Sequence, residues 1–135
     1  MMGDAMNILV RNKTVEGIPL LELSGTDGDR RPLVLMYHGY GGRKDFMLNQ
    51  AYFLASQGFV VAVPDAWGHG ERNQDGICNF FEAVMNTADE INTIIDYYQE
   101  IPIADGCRAG LAGYSMGGCI AYEYIGRPGR RVPTS

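Results

Sequence analysis

An α/β fold built on a doubly wound, mostly parallel sheet is predicted by three features of this 135-residue chain. Two continuous apolar runs of strand length, "LVLMYH" at 33–38 and "FVVAVPD" at 59–65, suit strands covered on both faces. Stretches of helical periodicity separate the runs, so that strand and helix alternate along the chain. Glycine-dense turns follow each strand end, at 39–42, 68–70 and around 113–118.

The elements follow in order. Residues 14–24, "TVEGIPLLELS", alternate imperfectly around Gly17 and Pro19, which fits an early hairpin or a pair of edge strands. "TDGDRRP" at 26–32 is turn chemistry leading into the strand 33–38. From Asp45 to Ser56, Leu48, Ala51, Tyr52 and Ala55 recur at helical spacing, and Gly58 stands where that helix ends. After the strand 59–65, Phe81, Val84, Met85, Ala88, Ile91, Ile95 and Tyr98 define one amphipathic helix between Asn79 and Tyr98. "RAGLAGYS" at 108–115 reads as a further strand and "MGGCIAYEYIG" as a helix opening just after Ser115, ended by Gly126 and Pro128. Right-handed crossovers join such units.

Length favours a single domain. No apolar run approaches membrane-spanning length, and "MMGDAMNILVRNK" lacks the plan of a secretory signal, so the expected compartment is the cytoplasm, away from membranes. A net charge of −5 argues against a nucleic-acid partner. The basic cluster "GRPGRR" at 126–131 reads as a solvated chain end. Cys78, Cys107 and Cys119 have neither disulfide-framework nor zinc spacing and read as reduced thiols. No pattern calls for a metal, a nucleotide or a flavin; the expected cofactor list is empty.

Chemistry concentrates in three loops at strand ends, which in an open α/β sheet share one rim. "GYSMGG" at 113–118 has the form G-x-S-x-G, and here it follows an apolar strand and opens a helix, the context its mechanics demand. Gly113 and Gly117 leave room for a sharp turn that presents the Ser115 hydroxyl. The helix start leaves the Met116 amide free for an oxygen that becomes negative, and the turn "HGYGG", with Gly39 at its head, could aim the Tyr40 amide at the same point. The lesser alternative is that those glycines simply make a tight strand-to-helix turn. His38 reads as a hydrogen-bonded scaffold residue before it reads as a base. Trp67, Tyr37 and Tyr40 suit either a substrate pocket or ordinary packing.

Taken together, "YHGYGGRKD", "VVAVPDAWGHGER" and "LAGYSMGG" resemble the first half of an α/β-hydrolase fold serine esterase. The similarity is to the branch of dienelactone hydrolases, acetyl xylan esterases and the prolyl oligopeptidase catalytic domain, over residues 30–126. It implies a carboxylic ester substrate, Ser115 as catalytic nucleophile, Tyr40 and Met116 as oxyanion-hole donors, and a structural His69. In that family the triad acid and histidine follow the serine, whereas here both histidines precede it. Residues 1–135 therefore read as one partial domain lacking the C-terminal strands of the fold, with impaired ester hydrolysis. A non-catalytic remnant or binding module, and an acyltransferase using the same elbow, remain open. His69 lies two strand positions from Ser115 in the family's strand order, at roughly 4.8 Å per step, too far for direct proton transfer. Asp65, Asp89, Asp96 and Asp105 read as caps, turns or surface charges. Without a sixth strand, "RAGLAGYS" becomes an unprotected edge and the helix after Ser115 exposes Ile120 and Tyr124, so self-association is expected.

Overall fold

The computed structural model describes residues 7–73, 76 and 78–132. The segments 1–6 and 133–135 lie outside the described residues, and with them most of "RVPTS", the expected start of a sixth strand.

The early hairpin is present and begins sooner than the sequence suggested. Strands β1 (Ile8–Val15) and β2 (Ile18–Gly25) pair antiparallel, with Val15 opposite Ile18. Glu16 and Gly17 both take positive φ, 49° and 81°, as the right-handed twist of a two-residue hairpin turn requires. Next come β3 (Arg31–Tyr37), a 3₁₀ turn (Lys44–Met47) running into α1 (Leu48–Ser56), and β4 (Val60–Pro64). Beyond a second 3₁₀ turn (Gly70–Arg72) lie α2 (Phe80–Asp89), α3 (Ile91–Gln99), β5 (Ala104–Gly113) and α4 (Met116–Ile125).

The five strands form one sheet in the order β1-β2-β4-β3-β5. β4-β3 and β3-β5 are parallel, while β1-β2 and β2-β4 are antiparallel, so the sheet is mixed, with its parallel part at β4, β3 and β5. Helices cover both faces, as doubly wound architecture demands. On one face Met47 of the 3₁₀ turn and Ala51 and Ala55 of α1 lie against Leu21, Leu23, Val61 and Val63. On the other, α2, α3 and α4 cover Leu20, Leu33, Leu35, Val60 and Ala62.

Four expectations change. The helix over 79–98 is two helices, because Glu90 leaves helical geometry (φ −92°, ψ −8°) while Arg72 grips its carboxylate through two hydrogen bonds of 2.7 and 2.6 Å. Its buried stripe omits Phe81, which is 68% exposed, and in α1 Leu48 and Tyr52 likewise face outward beside the buried Ala51 and Ala55. Strand β5 starts four residues earlier than read and carries an irregularity, with Pro32 opposite Asp105 but the next residue, Leu33, opposite Ala109. The extra residues break the ladder along the start of β5, so this edge has a protective bulge after all. Finally, Ile120 and Tyr124 are buried against the other helices, and the outward face of α4 carries Cys119 and Tyr122 instead.

Two polar features were not legible either. Glu22 sits buried in β2, accepting from the Lys13 ammonium at 2.7 Å and the Tyr98 hydroxyl at 2.9 Å. The basic C-terminal cluster is docked, with Arg127 bonded to Glu123 and Asp89 and the Arg131 amide donating to the Tyr124 hydroxyl.

The corrected stripe gives a direct test. Ile95→Ala, at a position with no exposure, should cost about 2–5 kcal/mol in urea unfolding, whereas Phe81→Ala should stay within about 0.5 kcal/mol of wild type.

Candidate active site

Strands β3, β4 and β5 end on the same rim, and the loops that leave them are bonded to one another. At the end of β5 the chain must reverse into α4 within two residues, and Ser115 absorbs the turn at φ 54°, ψ −111°, a conformation L-residues avoid. Such a backbone costs about 1–3 kcal/mol and persists only where its surroundings enforce it. The glycines show the enforcement. A Cβ on Gly113 would stand 2.2 Å from the Gly117 carbonyl carbon, and one on Gly117 would stand 2.1 Å from the Tyr37 carbonyl oxygen. The G-x-S-x-G pattern thus follows from backbone lying against backbone where β3, β5 and α4 meet.

Ser115 is exposed, and its side chain makes no hydrogen bond among the described residues. Its carbonyl takes the amides of Gly118 (2.9 Å) and Cys119 (3.2 Å), closing the first turn of α4. Met116 is buried, and its amide belongs to the set at a helix start that has no partner within the helix. The Gly39–Gly42 turn lies alongside: a Cβ on Gly39 would meet the Tyr114 ring at 3.1 Å. The Tyr40 amide, like that of Met116, makes no hydrogen bond among the described residues. The Tyr40 side chain is anchored elsewhere, its hydroxyl donating to the Cys78 carbonyl at 2.6 Å and its ring packing edge-on to His69.

The two histidines form a reciprocal clasp between the β3 and β4 loops. His38, fully buried, accepts the Ala66 amide on Nε2 at 3.0 Å and donates from Nδ1 to the Gly39 carbonyl at 2.8 Å. His69 accepts the Gly41 amide on Nε2 at 2.9 Å and donates from Nδ1 to the Trp67 carbonyl at 3.1 Å. Since an amide N–H can only donate, both Nε2 atoms must be unprotonated, which fixes both rings as neutral with the proton on Nδ1. Neither has a nitrogen to spare for Ser115, and in the strand order β3 lies between the β4 that leads to His69 and the β5 that leads to the serine.

Asp65 departs from its reading as a cap or surface charge. It is fully buried at the end of β4, where its carboxylate accepts the Lys44 amide (2.8 Å), the Lys44 ammonium (3.1 Å) and the Glu71 amide (2.9 Å). Burial pushes the Lys44 ammonium down, but the Glu71 and Asp65 carboxylates outweigh burial and raise it, so Lys44 stays charged. Asp89, Asp96 and Asp105 are surface partners of Arg127, Arg131 and Arg108. Of the aromatic residues, Tyr37 is core, its hydroxyl buried and held protonated by that burial; Trp67 is half-buried and gives its amide to Thr87 at 2.8 Å. Tyr40 faces a cavity. Among the described residues no three His, Cys, Asp or Glu side chains converge on a point that could hold a metal.

Comparison with known proteins adds to this geometry. Residues 28–133 match the family model described as serine aminopeptidase, S33. Over 131 residues the chain is 37% identical to a Bacillus subtilis (strain 168) protein named "Putative esterase YitV", an alignment covering 87% of this chain and 51% of that protein. It is 31% identical over 107 residues to a carboxymethylenebutenolidase from Pseudomonas sp. (strain P51), covering 70% of this chain and 44% of the other. Among solved structures, a cold-adapted esterase from an Arctic intertidal metagenomic library superposes with a TM-score of 0.72 at 22% identity, over 98% of this chain and 60% of that one. The chain thus spans about half the length of the curated relatives it matches.

The clasp carries a pH dependence. Burial holds the His38 pKa below its ordinary 6.5, so the unfolded chain takes up this proton first as the pH falls. The stability that His38 contributes should be complete above about pH 6.5 and be lost as pH falls through the depressed folded value. Urea unfolding between pH 7.5 and 5 should show this loss in wild type, and His38→Gln, which keeps an acceptor for Ala66 without a titrating ring, should flatten it.

Proposed function

The chain belongs to the serine aminopeptidase S33 family of α/β hydrolases, and on that premise we propose that it carries the nucleophile of a carboxylic ester hydrolase working through an acyl-serine intermediate. One observation carries the proposal: Ser115 is held at φ 54° on the first turn of α4 with its hydroxyl exposed and uncommitted. In the proposed reaction Ser115 Oγ bonds to the ester carbonyl carbon as its proton passes to a base. The negative oxygen is met by the amides of Met116 and Tyr40, and the alcohol departs with a proton, leaving the acyl group on Ser115. Water then attacks the acyl carbon, which releases the acid and restores the serine. The substrate class follows the names of the relatives, an esterase and a carboxymethylenebutenolidase. A cytoplasmic setting accords with three free cysteines.

Neither histidine is free to take the first proton, because both are committed to the clasp. The same observation favours the second reading, a non-catalytic member of the family in which the elbow is kept because the fold needs it. Acyl transfer to an alcohol or thiol would use the same acyl-serine.

Nitrophenyl acetate and a fluorophosphonate probe separate these readings. The chain by itself should turn over the ester weakly, since the oxyanion site and binding alone leave a residual of about 10³–10⁴ over water, and Ser115→Ala should remove little of that rate. Fluorophosphonate should label slowly, with mass spectrometry placing the adduct on Ser115. Fast turnover abolished by Ser115→Ala would show that a base is present in the chain, and absence of any adduct on Ser115 would overturn its role as nucleophile.

Assembly follows from the same rim. Strand β5 ends the described sheet, and from Ala109 to Gly113 it follows the bulge with one side unpaired, next to Cys119 and Tyr122 on α4. We therefore propose self-association of two copies along this edge. Light scattering behind size-exclusion chromatography should show dimer or higher species that fall away on dilution; a monomer at every concentration would contradict it.

A further inference from the structure

A groove of about 260 Å³ opens beside the elbow, and we infer that it receives an uncharged apolar group of the ester substrate, with Phe46 as the residue that sets preference. The inference rests on the ester-hydrolase reading above and adds a substrate class to it. One wall is the Gly39–Gly42 turn that carries the Tyr40 amide, and the opposite wall is Tyr114, the residue before Ser115. Phe46 and Met47, from the 3₁₀ turn, and Gln50, from α1, complete the lining. A substrate whose carbonyl reaches Ser115 has one of its two substituents directed along this groove.

Size and charge select the occupant. The volume is below the roughly 300–1,000 Å³ of sites for whole drug-sized ligands, and at about 30 Å³ per water it holds some nine water-sized groups. That is room for a phenyl ring with its linker, or a medium aliphatic chain. Its lining residues carry no acid and no cation; the ionisable side chains there are the Tyr40 and Tyr114 phenols, and the Tyr40 hydroxyl is already donating to the Cys78 carbonyl. Arg43, which is not a lining residue, has its guanidinium 5.3 Å from the Phe46 ring centre and pairs with Asp45 at 3.6 Å. A carboxylate entering the groove would lose water without gaining a cationic partner among the lining residues, whereas an apolar group would cover rings that now face solvent, Phe46 at 63% and Tyr114 at 67% exposure. Gln50 offers the only side-chain amide, enough to orient an ether or carbonyl but not to neutralise charge. The other rim cavity, about 90 Å³ between Gly41, Gly68, His69 and Cys78, admits about three waters and is too small for such a group.

The experiment reads binding apart from chemistry. Saturation-transfer NMR titrations on Ser115→Ala compare methyl benzoate, methyl hexanoate and monomethyl succinate, with benzyl acetate as the arm that places the ring on the alcohol side. Methyl benzoate or benzyl acetate, together with methyl hexanoate, should bind at least tenfold more tightly than monomethyl succinate. The better of the two aromatic esters identifies which side of the ester fills the groove. Phe46→Ala should weaken the preferred aromatic ester three- to tenfold, and Phe46→Leu should keep methyl hexanoate while losing the aromatic preference. Equal binding of monomethyl succinate, or an unchanged affinity in Phe46→Ala, overturns the inference. Because Ser115 is absent from the titrated protein, a failure of the ester-hydrolase reading would appear in the labelling and turnover experiments and leave these titrations unaffected.

Discussion

The contact on which the rest of the rim depends is between two stretches of backbone, Gly117 in the first turn of α4 and the Tyr37 carbonyl at the end of β3. There is no space for a single carbon between them. Because α4 can come this close, the Tyr114 amide reaches the same Tyr37 carbonyl at 3.1 Å, and the turn between β5 and α4 is compressed into the residues around Ser115. The positive φ of the serine is the visible result of that compression. A larger residue at Gly113 or Gly117 would lift the helix, and the Met116 amide would move with it.

A second layer of constraint holds the neighbouring loops. Each histidine belongs to one loop and grips an amide of the other, His38 taking Ala66 and His69 taking Gly41, with the rings 5.3 Å apart. Asp65 adds a third tie, through the backbone and side chain of Lys44 and the backbone of Glu71. The residues that a chemist would first suspect of acid and base work are thereby occupied in fixing the turn that carries Tyr40. Their burial makes sense in these terms: a neutral ring with both nitrogens satisfied, and a carboxylate facing a cation, can be removed from water without an unpaired group.

The sequence made the rim legible because its glycines and its serine are dictated by local geometry. The apolar runs fixed β3 and β4, and G-x-S-x-G between strand and helix located the elbow. What it did not disclose depends on contacts distant in the chain. The break at Glu90 is held by Arg72, eighteen residues earlier, and no periodicity rule registers that bond. Phe81 and Tyr52 obey helical spacing yet face outward. Leu48, at 40% exposure, shows the same limit. The burial of Asp65 had a faint signal, since it and Lys44 follow neighbouring strands at the same sheet end, but pairing them requires the strand order. The β5 bulge left no mark that separates it from a longer loop.

Glu22 bears on the order in which the structure forms. Strand β2 folds onto β1 through a two-residue turn, so Lys13 and Glu22 meet within a local hairpin that closes on the microsecond scale. The Tyr98 hydroxyl, which completes the surroundings of that carboxylate, is 76 residues away and arrives only when α3 docks on the sheet. The step that buries Glu22 must strip its water while closing a loop of 76 residues to Tyr98, and the Lys13 bond to the Tyr97 hydroxyl closes one of 84. Docking of α3 on the sheet therefore carries the cost of dehydrating a charged group, offset by the hydroxyls of Tyr97 and Tyr98 that reach the Lys13–Glu22 pair.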